Sequence, residues 1–419
     1  MLRKSLATLP QTLDETYDRI LTAISKEDCE YAMRILQWLT FSARPLSVEE
    51  IAKVVAIDVA RDLAFDRNEV LEDPLEALNI CSSLVTIVTN EAEERPRSAQ
   101  RIISLAHYSV QEYLVSDRIK QGAAKQYSMQ EVKCHNAITK GSLMYLTQFQ
   151  QPMSTEVLEA SALAMYAAEF WSSHFRNTED KAEGSVLAMS LMSTDEPAYL
   201  NWIRLWDPEF PRNKPNLRRN PKSVATPLYY AACLGLSTIT RLLLNKGADV
   251  NAQGGAYSNA LQAASYGGHK QVVKMLLNKG ANVNAQGGAY SNALLAASLR
   301  GHEQVVEMLL DRGANINAQG GSFGNALQAA SYGGHKQVVE MLLNNKAKVN
   351  TQGGVYGNAL QAASYKGDKQ VLKMLLNKGA DVNAQGGFHS NALQAASYRG
   401  HEQVVEMLLS AGAHQLPGR

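Results

Sequence analysis

The chain has 419 residues, of which 45% are hydrophobic and 19% charged, and its 41 basic and 40 acidic side chains nearly cancel. This composition predicts a protein of two or three folded domains. The sequence has no run of 18 apolar residues and no apolar core near its N-terminus, so we expect neither a membrane-spanning helix nor a secretory signal. The four cysteines lie far apart, so we expect reduced thiols in a cytoplasmic protein, without disulfides or a zinc site.

Four helices are predicted in the first 83 residues. Thr12 and Glu15 form a capping-box pattern before an apolar stripe that includes Leu13, and a second helix is predicted over roughly 29–41. Ser47 and Glu50 form another capping-box pattern. The next helix is predicted to start at Asp73-Pro74, with the aspartate as its cap and the proline in its first turn.

A β-hairpin is predicted to follow these helices. Its strands cover residues 84–89 and 101–107, joined by a polar loop at 90–100. Ser109 and Glu112 are then expected to cap another helix. Three helices over 28–83 followed by a hairpin constitute a winged-helix arrangement.

Winged helices often bind DNA, but the charges here disfavour that function. Residues 65–83 contain five acidic side chains against one basic side chain, Arg67, and the hairpin loop adds three glutamates against two arginines. Because phosphates require positive charge, we expect no nucleic-acid partner.

The remaining N-terminal residues show no strong catalytic or metal-binding pattern. His107, Ser109 and Asp117 are close in sequence, but the serine is better explained as a helix cap than as a nucleophile. Cys134 and His135 have no further ligand beside them. A helix over 157–171 is expected to form the core of a helical linker and not to lie on a membrane. We therefore predict no catalytic, cofactor or metal site and no membrane partner.

The C-terminal half is organised by an exact period of 33 residues. The motif Asn-Ala-Gln-Gly-Gly, with one Thr for Ala, begins at five asparagines: Asn251, Asn284, Asn317, Asn350 and Asn383. A divergent earlier unit begins at Thr226, which makes six units over nearly all of the chain after residue 222. Such a period predicts stacked repeats that bury their apolar faces only against neighbouring units.

Each repeat is predicted to be a helix pair. In the second unit, Asn259 caps a short inner helix, a Gly-Gly break reverses the chain, and an outer helix buries its valines and leucines. Gly280 is expected to end the outer helix with a positive φ. Lys346 occupies the equivalent position in the fourth unit, where we expect about 1 kcal/mol of local strain. In the last unit Val404, Val405 and Leu408 keep the interior pattern, so this end is expected to fray unless something covers it.

These repeats resemble the ankyrin repeat. The stretch Thr226-Pro-Leu-Tyr-Tyr-Ala resembles the family's Thr-Pro-Leu-His-x-Ala, and residues 268–277 resemble its Gly-His-x-x-Val-Val-x-x-Leu-Leu. Five units have Asn-Ala in place of Thr-Pro, and the asparagine is still a capping side chain. The family's histidine is replaced by Gln262, Leu295, Gln328, Gln361 and Gln394. The resemblance implies a solenoid of six ankyrin repeats that binds a protein through its concave face.

The repeat tips carry aromatic side chains that we predict to be partner-binding residues: Tyr257, Tyr290, Phe323, Tyr356, Phe388 and His389. A second series, which includes Tyr266 and Tyr332, lies on or just after the inner helices. Aromatic residues on a rigid scaffold are good anchors for a partner. The alternative is that each ring packs only against its neighbouring repeat.

The N-terminal half carries a second resemblance. The motifs Ala43-Arg-Pro-Leu-Ser and Ala106-His-Tyr-Ser-Val-Gln-Glu-Tyr-Leu, among others, resemble the GPI-inositol-deacylase-type winged helix that follows the NACHT domain in fungal NACHT–ankyrin (STAND, NLR-like) proteins. The sequence has no Gly-x-x-x-x-Gly-Lys-Ser/Thr loop, so we expect it to lack the NACHT domain. The chain is then either a shortened relative or an incomplete one. Without a Gly-x-Ser-x-Gly motif, the deacylase name implies no activity here.

The sequence thus predicts a mostly α protein with an N-terminal helix (1–27), a winged-helix-like domain (28–120), a helical linker (121–222) and ankyrin repeats (223–415). We interpret it as a non-enzymatic interaction protein without cofactors, whose winged-helix region couples the array to a NACHT-type switch domain. The alternative is a fragment or trans-acting subunit of a nucleotide-dependent STAND signalling ATPase. A DNA-binding winged helix is a third, disfavoured interpretation.

Overall fold

A computed structural model describes residues 12–59, 65–90, 100–178, 182–194 and 196–414. The chain divides into two compact units, Met1–Arg218 and Arg219–Arg419. Helices account for 56% of the described residues, and the second unit is a helical solenoid, which confirms the predicted fold class.

The described part of the first unit contains ten α-helices and four short 3-10 helices. The α-helices are Leu13–Thr22, Cys29–Phe41, Val48–Val55, Glu76–Cys81, Tyr108–Val115, Glu131–Thr147, Thr155–Ala160, Ala164–Arg176, Ala182–Leu191 and Pro197–Leu205. The 3-10 helices are Arg67–Glu69, Ser82–Leu84, Ile119–Gln121 and Lys125–Tyr127. A fifth 3-10 helix, Pro221–Ser223, belongs to the second unit.

A three-stranded antiparallel sheet completes the winged-helix part of this unit. Its strands are β1 (Leu46–Ser47), β2 (Val85–Asn90) and β3 (Gln100–Leu105), and β3 lies between the other two. Ile103 is opposite Leu46 on one side and Ile87 on the other. The predicted hairpin is confirmed, and β1 is an addition that its two-residue length hid from sequence patterns.

The capping predictions hold at the first and third helices. The Thr12 hydroxyl accepts the Glu15 N–H at 3.1 Å. Ser47 and Glu50 make both hydrogen bonds of a capping box. Glu50 is only 4% exposed, and the Arg44 guanidinium donates to its two carboxylate oxygens at 2.9 and 2.6 Å. A buried carboxylate needs such a partner, because an unpaired charge is costly away from water.

Two predicted helix starts were wrong. The helix expected at Asp73 begins at Glu76, because the Asp73 carboxylate accepts the Leu75 N–H and closes a separate turn. The helix expected to be capped by Ser109 begins at Tyr108, and the His107 ring is its cap. The Ser109 hydroxyl instead lies 2.6 Å from the Tyr17 hydroxyl, a contact across 92 residues of sequence.

Two further expectations about packing were also wrong. The single helix predicted over 157–171 is two helices, interrupted at residues 161–163. Only the second of them is core: Trp171 is fully buried, whereas Val157 is 43% exposed. Leu13, predicted to lie on the buried stripe of the first helix, is 62% exposed.

The second unit consists of six stacked helix pairs, numbered here repeats 1 to 6. The inner helices are Pro227–Cys233, Ala260–Gly267, Ala293–Arg300, Ala326–Gly333, Ala359–Lys366 and Ala392–Tyr398. The outer helices are Ser237–Asn245, Lys270–Asn278, Glu303–Asp311, Lys336–Asn344, Lys369–Asn377 and Glu402–Ser410. As predicted, Asn259 caps its inner helix by accepting the Gln262 N–H, and Gly280 has a φ of 85°. Lys346 adopts a φ of 67° without being glycine.

Polar side chains join each repeat to the next. Asn251 donates to the Gly280 carbonyl at 3.2 Å and accepts the Asn282 N–H at 2.8 Å. Asn284, Asn350 and Asn383 make both equivalent bonds, and Asn317 accepts the Lys348 N–H at 2.9 Å. The Gln361 amide donates to the Ala384 and Ser390 carbonyls of repeat 6 at 3.0 and 3.1 Å. This confirms that glutamine is an adequate hydrogen-bonding replacement at this position.

Candidate partner-binding face

The predicted binding residues lie at the turns that lead into the inner helices. The backbone of these tips is tied from repeat to repeat: the Ala289 N–H donates to the Ala256 carbonyl at 2.9 Å, and the Phe388 N–H to the Val355 carbonyl at 2.8 Å. Gly288 has a φ of 66°, and a Cβ there would lie 2.6 Å from the Tyr257 carbonyl carbon. The paired glycines are therefore required for neighbouring tips to approach this closely.

The aromatic rings of repeats 1 to 3 form one stack. Tyr257 lies 6.5 Å from Tyr229, 4.9 Å from Tyr266 and 5.9 Å from Tyr290 between ring centroids, with interplanar angles of 15 to 26°. Tyr266 and Tyr290 are 4.8 Å apart. These separations fall in the range of favourable aromatic pairs. The aromatic rings of the tips and those of the inner helices therefore belong to the same stack.

A second stack runs through repeats 4 to 6. Tyr332 lies 4.7 Å from Tyr356, which lies 5.2 Å from Tyr365, and His389 continues the stack at 5.2 Å from Tyr365. Phe323 and Tyr398 lie at its two ends. We call both stacks together the aromatic face: Tyr229, Tyr257, Tyr266, Tyr290, Phe323, Tyr332, Tyr356, Tyr365, Phe388, His389 and Tyr398.

The junction between repeats 3 and 4 separates the two stacks. Leu299 stands where Tyr266 and Tyr332 stand in the neighbouring repeats, and Leu295 replaces the bridging glutamine. Within residues 219–414, Tyr290 and Phe323 form no ring pair, and the tip-to-tip backbone bond is absent at this junction. The face is therefore divided into two segments on a continuous solenoid.

Two arginines, which the sequence analysis did not single out, extend the stacks. The Arg300 guanidinium lies 5.0 Å above the Tyr266 ring and that of Arg399 lies 4.9 Å above the Tyr365 ring, each reaching back to the preceding repeat. Burial and the Tyr266 hydroxyl raise the pKa of Tyr290 to about 12, so its hydroxyl remains a hydrogen-bond donor at neutral pH. The recurrence of basic residues at 300, 366 and 399 was the available sequence signal.

In the first unit, His107, Ser109 and Asp117 do not form a catalytic triad. The His107 Nδ1 lies 2.6 Å from the Ser109 hydroxyl, whereas Asp117 pairs with Lys120. His135, noted in the sequence, lies with its Nδ1 at 2.8 Å from Nδ1 of the buried His174. Burial, and secondarily the neighbouring His135, lower the pKa of His174 to about 4.

Membrane-spanning helices and metal-binding clusters are absent from the residues that the structure describes. None of the helices in this part of the chain has both the length and the apolarity needed to cross a bilayer. Over the same residues, no group of three or more His, Cys, Asp or Glu side chains could hold a metal ion.

Family comparisons agree with the architecture of both units. The family model described as ankyrin repeats matches residues 228–416 in four overlapping segments. The second unit is an ankyrin-repeat array. The model of the GPI inositol-deacylase winged helix domain matches residues 17–128, where the three-stranded sheet and its helices lie. Ankyrin repeats generally mediate protein–protein binding, which supports an interaction role for the array.

Two individual proteins resemble parts of the chain. The "Azaphilone pigments biosynthesis cluster protein L" of the fungus Monascus ruber is 40% identical over 280 residues, which cover 63% of this chain and 58% of that protein. The chain thus matches somewhat over half the length of this relative. The solved structure of the human ASB11 ankyrin repeat domain is 28% identical in sequence. The match covers 45% of this chain and 85% of that domain, with a TM-score of 0.41.

Proposed function

We propose that the ankyrin array binds a protein partner through the aromatic face, with Tyr257, Tyr290, Phe323, Tyr356, Phe388 and His389 as anchors. The observation that carries this proposal is the alignment of the rings on the side made by tips and inner helices, which we take to be the concave face. Large rigid side chains contribute area at low entropic cost and often dominate binding energy.

Packing between repeats accounts for part of this arrangement, since most of the rings stack on one another. It does not account for Phe388. This ring is 78% exposed, and its ring contact is an edge-on approach to His389 at 5.0 Å. An exposed aromatic side chain at a repeat tip is available to a partner, and aromatic residues are common anchors of binding.

The remaining assignments are proposals, and the match of residues 17–128 to the winged-helix family model supports the proposed role of the N-terminal unit. We propose that this chain is a non-enzymatic cytoplasmic protein whose N-terminal unit couples array occupancy to a NACHT-type switch domain. The domain limits proposed are 1–27, 28–120, 121–222 and 223–415. The acidic residues around the helix Glu76–Cys81 support the absence of a nucleic-acid partner, because they repel phosphates.

Site-specific photo-crosslinking in a fungal host tests the proposed binding face. A photoreactive phenylalanine analogue at position 388 should crosslink a partner protein, whereas the same analogue at the exposed outer-helix position Lys274 should not. The crosslink from 388 should weaken in a chain that carries three substitutions: Tyr266→Leu, Tyr332→Leu and Tyr365→Leu.

These leucine substitutions are suitable because the chain itself carries Leu299 at the equivalent position of repeat 3. They remove stacked rings and keep an apolar side chain, so the helix content measured by circular dichroism should be unchanged. Equal crosslinking from positions 388 and 274, or a crosslink that the leucine variant leaves intact, would contradict binding through the aromatic face.

A further inference from the structure

The segments that form the aromatic face carry charges of one sign. The tips and inner helices of repeats 2 to 6 occupy residues 250–268, 283–301, 316–334, 349–367 and 382–400. These segments contain no aspartate or glutamate, and all nine acidic residues after position 222 lie outside them. The segments do contain three exposed cations, Arg300, Lys366 and Arg399. The segments themselves therefore carry only positive formal charge.

The three cations are not neutralised within the array. Among the residues that the structure describes between 219 and 414, none of them forms an ion pair with a carboxylate within 4 Å. Asp368 follows Lys366 by two residues, but its carboxylate accepts the Gln370 and Val371 N–H groups at 3.0 and 2.9 Å and caps the next helix. Arg300 and Arg399 rest on tyrosine rings, which leaves their N–H donors free to bind an anion.

The ring stacks determine what else a partner can reach. Within each stack the ring faces lie against neighbouring rings, with centroids 4.7 to 5.9 Å apart. A partner is thus left with the ring edges and hydroxyls. Ring edges carry positive partial charge, and protonated tyrosine hydroxyls donate hydrogen bonds. Ring edges, hydroxyls and cations together favour a partner that carries negatively charged hydrogen-bond acceptors.

We infer that the partner segment bound by the aromatic face is an acidic peptide, whose carboxylates meet Arg300 on the first stack and Lys366 and Arg399 on the second. This inference rests on the proposed function and adds the chemistry of the partner. A peptide fits better than a single-stranded nucleic acid, because nucleic-acid bases bind by stacking on open ring faces. Here neighbouring rings already occupy most of those faces.

Peptide selection tests the inference on the full chain. A phage-displayed library of random 12-residue peptides is selected against the immobilised protein, and the Asp and Glu content of the recovered peptides is compared with that of the starting library. We expect a clear acidic excess. The excess should vanish in a variant with the three cations reversed: Arg300→Glu, Lys366→Glu and Arg399→Glu.

A matched control reverses the same number of charges on the outer helices: Lys274→Glu, Lys336→Glu and Lys373→Glu. Sister repeats carry glutamate at these positions, for example Glu307 and Glu303, so the fold accommodates the change. The control should keep the acidic excess. For one selected peptide, the cation reversal should lower the affinity at least about tenfold, whereas the control should change it less than about threefold.

The possible outcomes separate this inference from the proposed function. Peptides that lose affinity in the Tyr266→Leu, Tyr332→Leu, Tyr365→Leu variant but show no acidic excess would overturn the inference and leave the binding face in place. Peptides unaffected by that variant would overturn the proposed function. Displacement of the selected peptide by a 12-nucleotide oligouridylate, with a steep salt dependence, would overturn the inference in favour of a nucleic acid.

Discussion

Replacing Gln361 by alanine tests whether neighbouring repeats stabilise one another through buried amides. Gln361 is 3% exposed; its amide nitrogen donates to two carbonyls of repeat 6, and its side-chain oxygen accepts the Asn358 N–H at 2.9 Å. Gln394 occupies the same position of repeat 6 and lies exposed to solvent. The two glutamines therefore differ in burial, in the bond to the Asn358 N–H and in the two bonds to the following repeat.

The expected cost of Gln361→Ala follows from these three hydrogen bonds. Each typical intramolecular hydrogen bond contributes about 0.5–1.5 kcal/mol, so the substitution should lower the free energy of unfolding by roughly 2–4 kcal/mol. The same substitution at Gln394 removes no bond to a following repeat. It should change the free energy by less than about 0.5 kcal/mol, as is usual at the surface.

Urea unfolding of the full chain, monitored by circular dichroism, measures both variants. Hydrogen exchange adds the local information: Gln361→Ala should speed exchange in the helices Ala359–Lys366 and Ala392–Tyr398, since these two repeats lose their shared amide. Equal destabilisation by the two substitutions, or no effect of Gln361→Ala, would refute the idea that these amides join the repeats.

Three further predictions concern single positions. Lys346→Gly should raise the free energy of unfolding by about 1 kcal/mol in urea, because glycine adopts the φ of 67° without strain, and the reverse change Gly313→Lys should lower it by a similar amount. Burial lowers the pKa of His174, so the unfolded chain takes up a proton before the folded chain does as pH falls. Between pH 6.5, the ordinary histidine pKa, and pH 4, the free energy of unfolding should therefore decrease by on the order of 3 kcal/mol. Unfolding of wild type and His174→Gln as a function of pH checks this, and a pH dependence retained in the variant would contradict it. Leu299→Tyr should join the two ring stacks and raise the unfolding free energy by about 0.5–1.5 kcal/mol, and a lower stability would show that the junction cannot accept a ring.

The repeat sequence predicted most of the second unit, because each interval of 33 residues repeats the same local solution. Asn259 caps its helix as expected, and the positive φ of Lys346 follows from its alignment with Gly280 and Gly313. Such features depend on residues that are close in sequence. They are therefore visible without knowledge of the packing.

Long-range contacts explain what the sequence did not show in the first unit. Ser109 has the spacing of a helix cap, but its hydroxyl contacts Tyr17, and His107 takes the capping role. The strand Leu46–Ser47 is too short to show alternation and exists because it pairs with Ile103 and Ile102. Neither partner can be identified from local spacing.

The sequence predicted the rings as partner anchors, with packing against the neighbouring repeat as the alternative, and the structure shows them in two stacks. Tyr257, Tyr290 and Tyr356 were identified from their period, but their contacts depend on how far one repeat is displaced from the next. The same displacement places Arg300 over Tyr266, a contact between residues 34 positions apart. Binding by these rings remains a prediction, as does fraying at Val404 and Leu408.

Hydrogen–deuterium exchange of the full chain, with and without a selected acidic peptide, tests the central claim most directly. If the aromatic face is the binding surface, the peptide should slow exchange in the tips and inner helices within 283–301, 349–367 and 382–400, while the outer helices keep their rates. Protection confined to the outer helices, or to residues before 219, would contradict the account.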